Sequence, residues 1–102
     1  MPSFFIMYYV YVIQSENYGK RYTGFTKDLY NRINEHNNGN TKSIKPYIPY
    51  KLIYFETVEN IALARTREKY LKSAAGRRFI KKINPDGSEA RLNDFSRAGL
   101  QV

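Results

Sequence analysis

Tyr8 to Gln14 reads Tyr-Tyr-Val-Tyr-Val-Ile-Gln, and shortly afterwards Arg21 to Phe25 reads Arg-Tyr-Thr-Gly-Phe. Both runs are rich in the aromatic and β-branched residues that pack well on a pleated surface. Between them Ser15, Glu16, Asn17, Tyr18 and Gly19 supply turn chemistry, so the two runs are expected to pair as an antiparallel hairpin. Strand alternation then puts Tyr9, Tyr11 and Ile13 on one face of the first strand and brings Tyr22 close by on the second.

Downstream of the hairpin, Thr26 is expected to cap a helix beginning at Lys27 and Asp28 and stopping near Asn37-Asn38-Gly39, where glycine suits the left-handed end position. Asn40 to Tyr50, with Pro46, Pro49, Lys42 and Lys45, reads as a basic, exposed loop. Lys51 to Thr57 is a third strand, apolar on both faces through Leu52, Ile53, Tyr54 and Phe55, as a strand covered on two sides should be. Asn60 caps a helix to about Lys72, and Ser73 to Ile83 forms a further short helix with Phe79, Ile80 and Ile83 on its buried side. Asn84-Pro85-Asp86-Gly87 ends the regular pattern, and residues 88–102 form a C-terminal extension without a clear period.

A chain of 102 residues supports one core and not two, so a single domain is expected. With no cysteine, neither a disulfide framework nor a thiolate-held zinc is available, and a reducing, cytoplasmic setting follows. The apolar run from Phe4 to Ile13 lacks the basic lead and small-residue cleavage site of a targeting signal, falls short of the roughly 20 residues of a membrane span, and reads as the lead-in to a strand. Seventeen Lys and Arg against nine Asp and Glu give a net charge of +8, which favours a polyanionic partner: nucleic acid, or otherwise an acidic membrane surface.

Two helices place charge where apolar residues belong. Leu29, Arg32, Ile33 and His36 fall at i, i+3, i+4 and i+7, so Arg32 and His36 share the stripe that Leu29 and Ile33 turn to the core. Glu68 likewise interrupts the stripe of Ile61, Ala64 and Leu71. An unpaired buried charge is costly, so each needs a partner, a metal or a wet cleft. Arg32 and Glu68 pairing with one another, or each reaching out to water at the edge of its stripe, would meet that need without any chemistry, and Glu68 also stands i, i+4 to Lys72 as an ordinary helix-surface pair. Set beside the hairpin tyrosines, the same groups make a phosphodiester site: a carboxylate for one hard cation, an arginine for the phosphate and phenols to handle a water.

Tyr9-Val10-Tyr11, then Tyr22-Thr23-Gly24, then Arg32 with His36 one turn on, and an Arg67-Glu68-Lys69 helix ending in Lys72 together resemble the GIY-YIG nuclease superfamily over about Tyr8 to Ile83. The flavour is similar to its small stand-alone, excision-repair-subunit-like members. Tyr9 stands where the family name has glycine and Thr23 where it has isoleucine. The resemblance implies an α/β fold of the α+β type, with a three-stranded antiparallel sheet flanked by helices, the domain spanning 1–87 and the site on one sheet face. It makes Tyr11, Tyr22, Arg32, His36 and Glu68 the catalytic set, Tyr9 and Gly24 structural parts of the motif, and Glu68 the holder of one Mg²⁺ or Mn²⁺ ion. Lys42, Lys45, Lys72, Arg77 and Arg78, with Lys81 and Lys82 beyond, would track a nucleic-acid backbone. The implied activity is metal-dependent endonucleolytic cleavage of DNA, preferring structure over sequence and serving repair. A protein partner would supply targeting, since no separate DNA-reading domain is evident, and no membrane is involved. The alternatives are a nucleic-acid-binding module on the same fold and a protein-interaction domain using the aromatic surface.

Overall fold

The computed structural model describes residues 7–90. At its centre lies β1 (Tyr8–Ser15), the strand with most to bury: Val10 and Val12 on one face and Tyr11 and Ile13 on the other are all essentially inaccessible to solvent. β2 (Arg21–Thr26) and β3 (Tyr50–Val58) pair antiparallel on either side of it, giving the order β2-β1-β3. The register sets Tyr11 opposite Gly24 on β2 and Phe55 on β3, and Ile13 opposite Tyr22. The expected hairpin therefore forms, and Gly19 at φ +71° makes its turn.

α1 (Leu29–Asn37) begins later than expected. Thr26 is still paired with Tyr9 in the sheet, and its hydroxyl accepts from the Asp28 backbone N–H at 3.1 Å, so Asp28 becomes the cap and accepts from the Asn31 N–H at 3.2 Å. The helix ends at Asn37 with Asn38 as its cap, and Gly39 follows at φ +83°, within the expected Asn37-Asn38-Gly39 stop. The 40s loop is basic and exposed at Lys42, Lys45 and Pro46, yet it is also anchored: Ile44 is buried beside Tyr11, and the Tyr50 hydroxyl donates to the Ile44 carbonyl at 3.2 Å. Lys45–Tyr47 winds into a single 3₁₀ turn above that anchor.

α2 (Ile61–Lys72) is capped by Asn60, whose side chain accepts from the Leu63 N–H at 2.9 Å. Ser73 ends α2 and caps α3 (Ala74–Ile83) by accepting from the Gly76 N–H at 3.2 Å. Gly76 allows this abrupt corner, since a Cβ there would run into the Tyr70 carbonyl and the Leu71 backbone. Ile80 is buried as expected and Phe79 half-buried, but Ile83, the last residue of α3, is 49% exposed and not part of the buried side. Ile83 lies one turn beyond Ile80 at the very end of α3, where the helix gives way to the Asn84 cap and the side chain is left in solvent.

The sheet is covered on both faces. α1 and the 40s loop pack on the face of Tyr11, Ile13, Leu52 and Phe55, while α2 and α3 pack on the face of Val10, Val12 and Ile53. α2 is fixed by Arg67, which holds Glu56 of β3 through Nε at 2.5 Å and Nη2 at 3.0 Å and lies over the Tyr70 ring. After α3 the Asn84 side chain donates to the Ile53 carbonyl at 3.0 Å and the Ala90 N–H to the Leu52 carbonyl at 2.7 Å, tying this part of the chain to β3. The expected extension thus starts against the sheet at residues 88–90; its remainder, 91–102, and the part of the strand lead-in before Met7 lie outside the described residues. Among the described residues no helix is long and apolar enough to cross a membrane.

Candidate active site

Tyr11, Tyr22 and His36 meet at one point. The Tyr11 phenol oxygen lies 2.7 Å from His36 Nε2, and the Tyr22 ring stands edge-on to the imidazole at 5.0 Å between centroids. The two tyrosine rings are 6.4 Å apart. They can lean over β2 because Gly24 presents no side chain: a Cβ there would fall 2.7 Å from the Tyr11 oxygen and 3.2 Å from a Tyr22 ring carbon. Gly24 has no left-handed φ, so it is this close approach that its position requires. Tyr9 extends the same face, its ring 5.9 Å from that of Phe55.

Burial dominates the chemistry of the pair. It pushes the Tyr11 phenol up to about 12, while the neighbouring Arg32 guanidinium works the other way. It pulls His36 down to about 4, with the Arg32 charge adding to the same effect. At neutral pH the phenol is therefore protonated and the imidazole neutral, able to accept a proton through one nitrogen. The other nitrogen, Nδ1, lies 2.8 Å from the Thr41 hydroxyl.

Arg32 and Glu68 do not pair with each other. Arg32 Nη1 holds Glu35 at 2.8 Å and the Glu68 carboxylate holds Lys72 Nζ at 3.2 Å, each along its own helix. Neither is deeply buried, with side-chain exposures of 38% and 23%. The stripe argument holds for His36, which is fully buried, and overstates the case for the two charges. The site is also not confined to one sheet face. α2 covers the face opposite Tyr11, yet the Glu68 charge raises the Tyr11 phenol's affinity for its proton, and Lys72, the partner of Glu68, lines a cavity with Tyr22. Lys72, held by Glu68, thus brings α2 to the same edge of the sheet as Tyr22.

The basic residues fall on both flanks. Lys42 follows Thr41, the hydrogen-bond partner of His36, and the Lys45 stem lies along Gly39 at the end of α1. Lys72 and Arg77 line the cavity beside Tyr22, whereas Arg78, Lys81 and Lys82 are exposed along α3 with no contact to the tyrosines. A larger cavity of about 610 Å³ lies elsewhere, between α1 and residues Leu52 and Ala90, and includes none of the catalytic candidates.

Two participants escaped the sequence reading. Glu35 was not singled out, although its i, i+3 spacing to Arg32 is a visible signal in the sequence. Thr41 had no signal, because only the turn at Gly39 brings its hydroxyl back to the imidazole.

Among the described residues no three His, Cys, Asp or Glu side chains cluster as a metal cage. Glu68, half-buried and paired with Lys72, fits a hard cation of the kind that keeps most of its water and takes one protein carboxylate.

Two hairpin phenols over a glycine, an arginine and a buried histidine on α1, and a carboxylate on α2 are the side chains the structure offers for chemistry. The family model for the GIY-YIG catalytic domain matches residues 7–84, and the chain belongs to that family of nucleases. Its relatives include a UPF0213 protein of Clostridium perfringens, 38% identical over 93 residues that cover 85% of this chain and 99% of that one. Another, from Staphylococcus saprophyticus, is 33% identical over 78 residues, covering 76% of this chain and 94% of its own. A solution NMR structure of the UPF0213 protein of Bacillus halodurans aligns with 25% identity and a TM-score of 0.47 over 80% of this chain and 87% of that one.

Proposed function

We propose that this protein is a structure-preferring DNA endonuclease that hydrolyses phosphodiester bonds with one divalent metal ion. The observation that carries the reading is the 2.7 Å contact between a buried phenol and a neutral imidazole, with the Arg32 guanidinium acting on both. Tyr11 orients the attacking water and takes its proton as its own phenolic proton passes to His36 Nε2; a phosphate bound on Arg32 offsets the guanidinium charge that helps hold His36 near 4, and so raises the imidazole toward the proton affinity that this transfer needs. The Thr41 hydroxyl accepts the Nδ1–H and keeps Nε2 free for that transfer. Arg32, held in place by Glu35, neutralises charge developing on the phosphoryl oxygens, and Tyr22 packs the imidazole and narrows the approach. Mg²⁺ or Mn²⁺ on Glu68 would supply Lewis-acid stabilisation of the phosphate and leaving oxygen. Lys42, Lys45, Lys72, Arg77 and Arg78 carry the backbone, and a binding partner provides targeting.

The direct test is cleavage of a panel of duplex, nicked, flapped and branched DNAs with Mg²⁺ or Mn²⁺. The wild type should cut in a chelator-sensitive way, and Glu68→Gln, which keeps the shape and removes the charge, should not. Cleavage that survives EDTA or Glu68→Gln would overturn the metal mechanism. A wild type that binds DNA and cuts nothing would leave the binding-module reading in its place.

A further inference from the structure

On the far side of Tyr22 from His36, between β2 and the α2–α3 corner, lies a cavity of about 300 Å³. Its buried lining is apolar from Val12, Leu71 and Ile80, with one polar residue, Thr23, and its exposed lining is cationic, from Arg21, Lys72 and Arg77. How these cations are held is informative. Arg21 donates through Nε to the Gln14 amide oxygen at 2.8 Å, and Arg77 through Nη1 to the Lys72 carbonyl at 2.6 Å. Both acceptors are neutral, so they fix the guanidiniums without cancelling their charge, and further N–H groups on each remain for a ligand. Among the described residues neither arginine has a carboxylate within ion-pairing distance, in contrast to Arg32 and Arg67. The volume is at the small end for a ligand site and too small for a stacked base pair, which leaves room for an anion of phosphate size with its waters.

We propose that this cavity is a phosphate subsite, holding through Arg21, Lys72 and Arg77 a nucleic-acid phosphate that neighbours the one presented to Tyr11. That the phosphate belongs to a strand being cut rests on the function proposed above; the anion site itself does not. Tyr22 is the shared wall, and Lys72, bound to Glu68, is the link between the two phosphate positions. The ligand is either an internal diester of the strand or its terminal phosphate monoester, and the same three cations serve both.

The test is a titration of the isotope-labelled full chain with inorganic phosphate at constant ionic strength, followed by NMR. Saturable shifts are expected at the side chains of Arg21 and Arg77 and at Tyr22, and they should vanish in Arg21→Gln/Arg77→Gln with the remaining spectrum unchanged. No saturable shift in the wild type, or equal shifts in the double variant, would overturn the proposal. With DNA, each Arg→Gln should lower the slope of log affinity against log salt by about 1, irrespective of sequence. A 5′-phosphate that tightens binding of a short strand to the wild type and not to the double variant assigns the terminal group. A single internal methylphosphonate that weakens the wild type alone assigns the diester. Should the wild type cut nothing while phosphate still saturates the arginines, the nuclease reading fails and this one stands.

Discussion

The phenol oxygen of Tyr11 and Nε2 of His36 are 2.7 Å apart, and both side chains are almost wholly excluded from solvent, at 1% and 0% exposure. A phenol held up near 12 does not ionise at neutral pH, so it can act as a base only by handing its proton on, and the imidazole is the group placed to take it. Tyr11→Phe and His36→Gln should each lower the cleavage rate by about 100- to 10,000-fold, the range for positioned proton transfer, while leaving DNA affinity within a factor of a few. The two losses should not multiply in the double variant, because both remove one relay. Single-turnover rates of the four proteins decide it, and fully multiplicative losses would show that the two residues act separately.

His36 also couples stability to pH. Its proton affinity is lower in the folded chain, about 4 against an ordinary 6.5, so the unfolded state binds the extra proton as the pH drops. The stabilisation is complete above about 6.5 and is lost progressively as the pH falls toward 4, by at most about 3 kcal/mol. Since His36 is the single histidine in the sequence, the window between pH 6.5 and 4.5 belongs to it before the carboxylates titrate. Urea midpoints should fall across that window in the wild type and stay nearly flat in His36→Gln. Parallel curves would refute the assignment.

The elements were legible where local chemistry decides them. The hairpin, the third strand, the Asn60 cap, the short helix after it and the glycine stop of α1 all follow from residues next to one another in the chain. Thr26 misled because its sheet pairing to Tyr9 outranks its capping propensity, and that pairing is a long-range contact. The family resemblance supplies the candidate residues, and the sequence does not supply their geometry. Helical periodicity places Arg32 and Glu68 on inward stripes, but it cannot show that Glu35 and Lys72 meet them at the stripe edge. Nor can it show that α2, which carries Glu68, packs on the sheet face opposite Tyr11.

Gly24 should be intolerant of even one carbon. In most strands alanine improves on glycine by roughly 0.5 to 1 kcal/mol, because it costs less backbone entropy. Here its Cβ would sit 2.7 Å from the Tyr11 oxygen, and Tyr11 is packed on all sides, so overpacking of about 1 to 3 kcal/mol should outweigh that gain. Gly24→Ala is expected to lower the melting temperature modestly and to cut activity far more, by displacing the phenol from His36. A variant that keeps full cleavage would show that the Tyr11 position is not critical.

Thr41 is expected to act through His36 alone. In a neutral imidazole one nitrogen carries the proton, and the Thr41 hydroxyl 2.8 Å from Nδ1 can keep it there, leaving Nε2 as the acceptor for Tyr11. Thr41→Val removes that acceptor and strands a buried N–H, at a cost of about 1 to 3 kcal/mol, which the ring can avoid by moving its proton to Nε2. The nitrogen chemical shifts of the single histidine report the tautomer directly: the wild type should be protonated at Nδ1, and the Val variant should shift toward Nε2. Cleavage should fall by about 10- to 100-fold, the range for groups that orient a functional imidazole, with substrate affinity unchanged. Thr41→Ser, which keeps the hydroxyl, should restore both the tautomer and the rate. Wild-type protein found protonated at Nε2, or a Val variant with unaltered shifts and reduced rate, would show that Thr41 supports the loop and does not set the proton.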